Sequence, residues 1–152
     1  RLQRAVLGAE RLIGELQERL ALLRIAVDAP QASGLSPETA TGLDARLRTL
    51  ELELTRIAAA LSGDSFLRAR NEADLPSISE RVMNVVYSSW SSTAEPTRTQ
   101  RDAYTIAGEA FARELARLGK FVDGDLATLE QELERAGAPW TPGRLPVWQL
   151  EN

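Results

Sequence analysis

The groups in this chain that could do chemistry are carboxylates, arginines, hydroxyls and a single lysine, because the sequence contains neither histidine nor cysteine. That absence removes Ser-His-Asp and Cys-His nucleophile systems and the HExxH zinc motif. It also removes disulfides and thiolate-ligated zinc. Carboxylate acid/base work or a Ser/Lys pair is what remains. The densest acids are Asp123, Asp125, Glu130, Glu132 and Glu134. On a helix, residues two apart point in different directions, so these acids do not converge. A ferritin-like di-metal centre needs inward Glu-x-x-His pairs, which this sequence cannot supply. They read as solvated helix surface, with Asp125 nearest the apolar stripe and the one to test for burial. No catalytic residue, metal ligand or cofactor is expected.

Three other clusters invite a functional reading. Arg68, Arg70, Asn71, Glu72 and Asp74 lie in a polar stretch without helical periodicity. They suit either an anion or peptide site or a segment that ties down its own backbone, and Arg81 could join the same network. Ser91, Ser92 and Thr93 follow Trp90, but Lys120 is too distant in sequence to be assumed their partner, and turn formation accounts for them. Trp140, Arg144 and Trp148 sit in a proline-rich tail. Exposed, they would form an interaction patch, since Trp and Arg are common interface anchors. Alternatively the rings pack back on Phe66, Tyr87, Phe111 or Phe121, an outcome favoured for Trp140 beside the helix end and left open for Trp148. The candidate interaction surface is therefore Arg68, Arg70, Glu72, Trp140, Arg144 and Trp148.

The elements that must position these groups are helices. Leu2, Val6, Ala9, Ile13, Leu16, Leu20, Leu23 and Val27 alternate four and three apart, an a/d seam over the first 28 residues. Glu15 and Arg19 form a favourable i,i+4 pair on its other face. Gln31–Gly34 reads as a loop. Ser36-Pro37 supplies an N-cap and a first-turn proline. Ala40, Leu43, Leu47, Leu50, Leu54, Ile57 and Leu61 then repeat the seam until Gly63. So short a loop predicts an antiparallel hairpin.

Residues 64–76 read as an extended crossing segment. Ser77 and Glu80 form a capping box opening a short helix to residue 90, with Ile78, Val82, Val85 or Val86 and Trp90 inward. Thr97 and Gln100 form a second box. The last helix, 97–136, carries the stripe Tyr104, Gly108, Phe111, Leu115, Leu118, Val122, Leu126, Leu129, Leu133 and Ala136. Two successive spacings of four around Val122 predict a stutter. Gly137 ends the helix, and the prolines beyond it predict an extended tail over 137–152.

The pattern predicts one all-α domain of 152 residues, an up-down antiparallel four-helix bundle with a short third and a long fourth helix. A net charge of −4 and the lack of a basic stripe argue against nucleic acid as a partner. No apolar run approaches the roughly 20 residues of a membrane span. The helical pattern is already running at Leu2, which suggests a fragment of a longer protein.

From residue 64 onward the chain resembles a known family. Arg68-Ala-Arg-Asn-Glu72, Pro76-Ser-Ile78, Arg81-Val82, Trp90-Ser-Ser-Thr93, Pro96-Thr97, Thr99-Gln100 and Gly137-Ala-Pro-Trp-Thr-Pro-Gly-Arg144 with Pro146 and Trp148 carry the likeness. They resemble the C-terminal helical region of bacterial secreted proteins with sortilin-like, BNR-repeat β-propellers, often labelled glycosyl-hydrolase-like. The resemblance implies an exported protein with a propeller before Arg1, and it assigns no catalytic residue to this region. The expectation is a non-catalytic accessory domain in contact with that propeller or another protein, monomeric because its four stripes satisfy one another. The alternatives are a coiled-coil homodimer through the first hairpin and, less favoured, a carboxylate-based hydrolase.

Overall fold

The computed structural model describes residues 1–28, 35–90 and 94–138. The expected loop at Gln31–Gly34, the hydroxyl cluster Ser91–Thr93, and the tail with Trp140, Arg144 and Trp148 fall outside these residues. The described residues are helical and contain no strand. In chain order they form α1 (Leu2–Asp28), α2 (Pro37–Ser62), α3 (Ser65–Ala69), α4 (Ile78–Trp90), α5 (Arg98–Lys120), a π-helical turn (Phe121–Leu126) and α6 (Ala127–Arg135).

Short-range chemistry fixes where these helices begin and end. The Thr39 N–H donates to Ser36 Oγ at 3.2 Å, capping α2 one residue before Pro37. At α4 the Ser77 N–H donates to Glu80 Oε2 (2.8 Å) and the Glu80 N–H to Ser77 Oγ (3.2 Å). Thr97 and Gln100 exchange the same pair of bonds at α5. Each box satisfies two N–H groups that a helix start leaves without partners. Gly63 (φ +89°) ends α2 and Gly137 (φ +81°) ends α6, both in the left-handed region that glycine enters without steric cost.

The chain divides into two compact units, Arg1–Gly14 with Glu53–Lys120 and Glu15–Leu52 with Phe121–Asn152. In the second unit Leu16, Leu20, Leu23 and Val27 of α1, Leu43, Leu47 and Leu50 of α2, and Phe121, Leu126, Leu129 and Leu133 are all buried. Burying one leucine contributes about 2 kcal/mol, so these rows are the unit's main source of stability. They are covered by this chain's own side chains.

The core of the first unit is Val6, Ala9 and Ile13 of α1, Leu54, Ile57 and Leu61 of α2, Ile78 and Val82 of α4, and Ala107, Phe111 and Leu118 of α5. Three pairings set the direction of α4. Glu10 accepts from Ser62 Oγ at 2.9 Å. A Cβ placed on Gly63 would lie 3.8 Å from Ser77 Cβ. Gln3 Nε2 meets Met83 Sδ at 3.7 Å. As α4 advances from Ser77 to Met83 it therefore passes α1 from Glu10 back towards Gln3. This unit thus departs from strict up-down alternation, in which the third helix would run parallel to the first. Residues 64–76 also do not cross it. Their ends meet, and the segment leaves the helical path and returns to it, as an Ω-loop does.

Other expectations are corrected here. Residues 65–69 form a short helix where an extended segment is expected; its five residues bury nothing and so leave no periodic signal. Trp90 is exposed rather than inward. Tyr104 and Leu115 are also exposed, because the buried stripe of α5 is rotated onto Ala107, Phe111 and Leu118. The stutter near Val122 takes the form of a π-turn. Phe121 and Leu126, both buried, are five residues apart, a spacing that would place them about 140° apart around an α-helix. One extra residue in a π-turn brings both onto the core face. Thr128 Oγ1, in the first turn of α6, donates to Gly124 O of the π-turn at 2.6 Å.

Candidate interaction surface

The polar stretch after α2 is organised by its own side chains. Asp64 Oδ1 accepts from the N–H groups of Phe66 (2.8 Å) and Leu67 (3.3 Å), capping α3. At the other end of α3 the Asn71 N–H donates to Arg68 O and the Glu72 N–H to Leu67 O. With Asn71 at φ +52°, this is a Schellman ending in which asparagine takes the place usual for glycine. Arg68 reaches back to α2: its Nη2 donates to Ser62 O at 2.5 Å and lies 3.5 Å from Glu80 Oε1. The guanidinium thus caps a carbonyl that the end of α2 would otherwise leave unpaired. Arg70 Nε donates to Glu72 Oε1 at 2.6 Å, and its guanidinium carbon stands 5.4 Å from the Phe66 ring centroid, a cation–π arrangement. Arg81 Nε donates to Pro76 O at 3.2 Å, so it joins the closure of the loop.

Of the expected interaction residues, Arg68, Arg70 and Glu72 thus lie together on this loop, and all three are exposed. Trp140, Arg144 and Trp148 lie outside the described residues. The loop encloses a small cavity of about 170 Å³, with Asp64, Arg68, Glu72, Asp74 and Glu80 in its wall. Since Arg68 already pairs with Glu80, the cavity's charges are partly matched internally. Leu75, also in its wall, is 81% exposed, and Phe66 on the same loop is 65% exposed.

A second feature lies on α4. Tyr87 and Trp90 meet edge to face, with ring centroids 5.7 Å apart and an interplanar angle of 82°. The contact orders both rings before any partner arrives. Trp90 is nevertheless 75% exposed and Tyr87 56%. Tyr104 and Ile106 add exposed apolar side chains on α5, which packs against α4.

Charges elsewhere pair helix to helix. Arg24 donates from Nη2 to Glu51 Oε2 at 2.7 Å and from Nε to Glu51 Oε1 at 3.2 Å, while Nη1 bonds Asp44. Hydrogen bonding to Glu51 raises the Arg24 pKa, and hydrogen bonding to Arg24 holds the Asp44 carboxyl below its ordinary value. Arg117 bridges Glu53 (2.8 Å) and Glu114 (2.8 Å), and its pKa is raised chiefly by the bond to Glu53. The least foreseen pair is Arg19 with Glu130. One edge of the guanidinium bonds the carboxylate through two donors, Nη2 to Oε2 at 2.6 Å and Nε to Oε1. Glu130 is buried, 6% exposed, which corrects its assignment to solvated surface; Asp125 is half-buried. Arg19, expected to pair with Glu15 one turn away, is thus committed across helices to Glu130. The signal available in the sequence is positional: Glu130 follows Leu129 and precedes Leu133, the two buried leucines of α6.

Among the described residues, no group of three or more acids is placed to hold a metal ion, and no helix is long and apolar enough to cross a membrane. Every buried side-chain nitrogen or oxygen among them has a hydrogen-bond partner. No family model, curated protein or solved structure matches the chain. The functional reading therefore rests on the site itself and on the resemblance.

Proposed function

We propose that this chain is a non-catalytic accessory domain of an exported β-propeller protein, and that it acts by contact with that propeller or with another protein. The observation that carries the reading is the exposed, mutually ordered Tyr87–Trp90 pair. Aromatic side chains held in place give large contact area at low entropic cost, which is why Trp and Tyr dominate interface hot spots. The arginines and acids described above are spent on pairs within the chain, an arrangement that suits a scaffold. The sortilin-like resemblance supports the propeller and the export. In this reading the long helical spans serve one bundle domain, which the unbroken run of α1 and α2 through both units supports.

The test is to produce the segment encoded upstream of Arg1 separately and titrate it with this chain by calorimetry. Trp90→Ala should weaken association about tenfold or more, the loss expected of a central aromatic anchor. Its own melting temperature should move by no more than about 2 °C, because the ring is mostly exposed. Absence of binding at about 100 µM, or binding indifferent to Trp90, would remove the reading.

A further inference from the structure

We infer that the loop formed by residues 64–76 is a site of limited proteolysis by an arginine-specific serine protease, cut after Arg68 or Arg70, and that the cut chain stays assembled. The step is hydrolysis. Water adds across the peptide C–N bond, leaving a carboxylate on the arginine and an ammonium on Ala69 or Asn71.

The first ground is the low local stability of the substrate segment. A protease must draw several residues into an extended strand, so cleavage follows the free energy of local opening. From Ser65 to Pro76 no residue is buried, and α3 has no buried side chain. Five residues are too few for a helix to persist without packing. The pairs that hold the loop, Arg70–Glu72 and Arg68–Glu80, have arginines about 60% exposed and partners about half exposed. Solvent and salt leave each such pair worth less than about 1 kcal/mol.

The second ground is that the loop's two ends are held independently of its middle. Leu61 at the end of α2 and Ile78 at the start of α4 are buried, and Gly63 lies against Ser77. Arg81 fastens Pro76, and the Ser77–Glu80 box closes the start of α4. Breaking the chain at residue 68 or 70 releases none of these contacts. Other described arginines are less available. Those of α1, α2 and the body of α5 lie inside long helices. The strongest rivals are Arg98 and Arg101 in the first turn of α5, where the Thr97–Gln100 box and the bond from Arg101 to Pro96 O hold the backbone, and Arg135, the exposed last residue of α6, where the Gly137 N–H bonds Glu134 O and the Ala138 N–H bonds Leu133 O.

The experiment is a time course of the full chain with dilute trypsin, followed by intact mass. The first cut within residues 35–138 should fall after Arg68 or Arg70. The two pieces should co-elute in gel filtration in plain buffer and separate in guanidinium chloride. Arg68→Gln with Arg70→Gln should slow cleavage in the loop about tenfold or more. Because Arg68 also caps α2, chymotrypsin is applied to the unaltered chain as an independent probe of the loop, and it should cut after Phe66 or Leu67 before Tyr87 or Trp90. A first tryptic cut after Arg98, Arg101 or Arg135, chymotryptic cleavage first on α4, or pieces that part in plain buffer would each overturn the inference.

Discussion

The two compact units handle the same materials differently. The unit of Glu15–Leu52 with Phe121–Asn152 hides leucine rows at near-complete burial and places a carboxylate, Glu130, inside them. Its exposed large apolar side chains, among the described residues, are Ile25 and Leu52. The unit of Arg1–Gly14 with Glu53–Lys120 leaves Leu7, Phe66, Leu75, Tyr87, Trp90, Tyr104, Ile106 and Leu115 exposed, and its main helix-to-helix ion pair, Arg117 with Glu53, is half in water. One unit closes over its apolar rows, and the other leaves apolar side chains in the solvent. Scattered exposed apolar residues are normal on any protein, but their concentration in one unit is what a contact surface requires.

The largest effect that could break this comparison is on charge pairs. Arg19→Ala leaves Glu130 buried without its partner, and should destabilise the protein by about 3 kcal/mol, read from denaturant unfolding. The estimate sits at the low end for a buried pair because Arg19 is itself 38% exposed. Arg117→Ala should cost less than about 1 kcal/mol, because Glu53 keeps access to water. Equal losses for the two variants would mean that the units do not differ in closure.

Much of the difference between the units could be read from the sequence, and its limits are physical. The α1 and α2 seams were legible because a 3,4 alternation of leucines has one helical solution. Capping boxes at Ser77 and Thr97 were legible because two polar residues three apart have a local role. The rotation of α5 onto Ala107 was hidden, since alanine carries little hydrophobic signal and Tyr104 and Leu115 carry much. Glu130 was hidden because a carboxylate among leucines gains burial only from a distant arginine, a partner that no local pattern identifies. The direction of α4 was hidden too, for loop composition does not say whether thirteen residues cross a bundle or return to where they left it. Arg68, Arg70 and Glu72 stood out by their lack of periodicity, and the structure groups them on one exposed loop, whereas Trp90 was misplaced by having a helical spacing from Val82.

A middle-sized effect should come from the π-turn that opens the closed unit's final helical stretch. Deleting Gly124 leaves four residues' spacing between Phe121 and the leucine now at 126, which an α-helix carries on one face at about 40° of offset. The downstream residues, Glu130 included, then keep their orientation, and the extra turn residue is the only thing lost. The variant should unfold cooperatively with a stability within about 1 kcal/mol of the parent, since glycine is itself a weak helix former. Loss of cooperative unfolding would show that the π-turn holds the unit together rather than merely absorbing an inserted residue.

The smallest effect concerns acid and a single carboxylate of the closed unit. Asp44 titrates below its ordinary value of 3.8, chiefly because Arg24 hydrogen-bonds its ionised form. A group whose pKa is lowered on folding binds fewer protons in the native state than in the unfolded one over the interval between the two values. Its contribution is therefore complete above pH 3.8 and disappears as the pH falls through the lowered folded value. Asp44→Asn removes this dependence while keeping a side chain that can still accept from Arg24, so the slope of melting temperature against pH should flatten below about pH 4 and stay unchanged near neutrality. An acid slope unaltered by Asp44→Asn would mean that Arg24 does not hold this carboxyl in its ionised form, and that the closed unit owes its acid sensitivity to other groups.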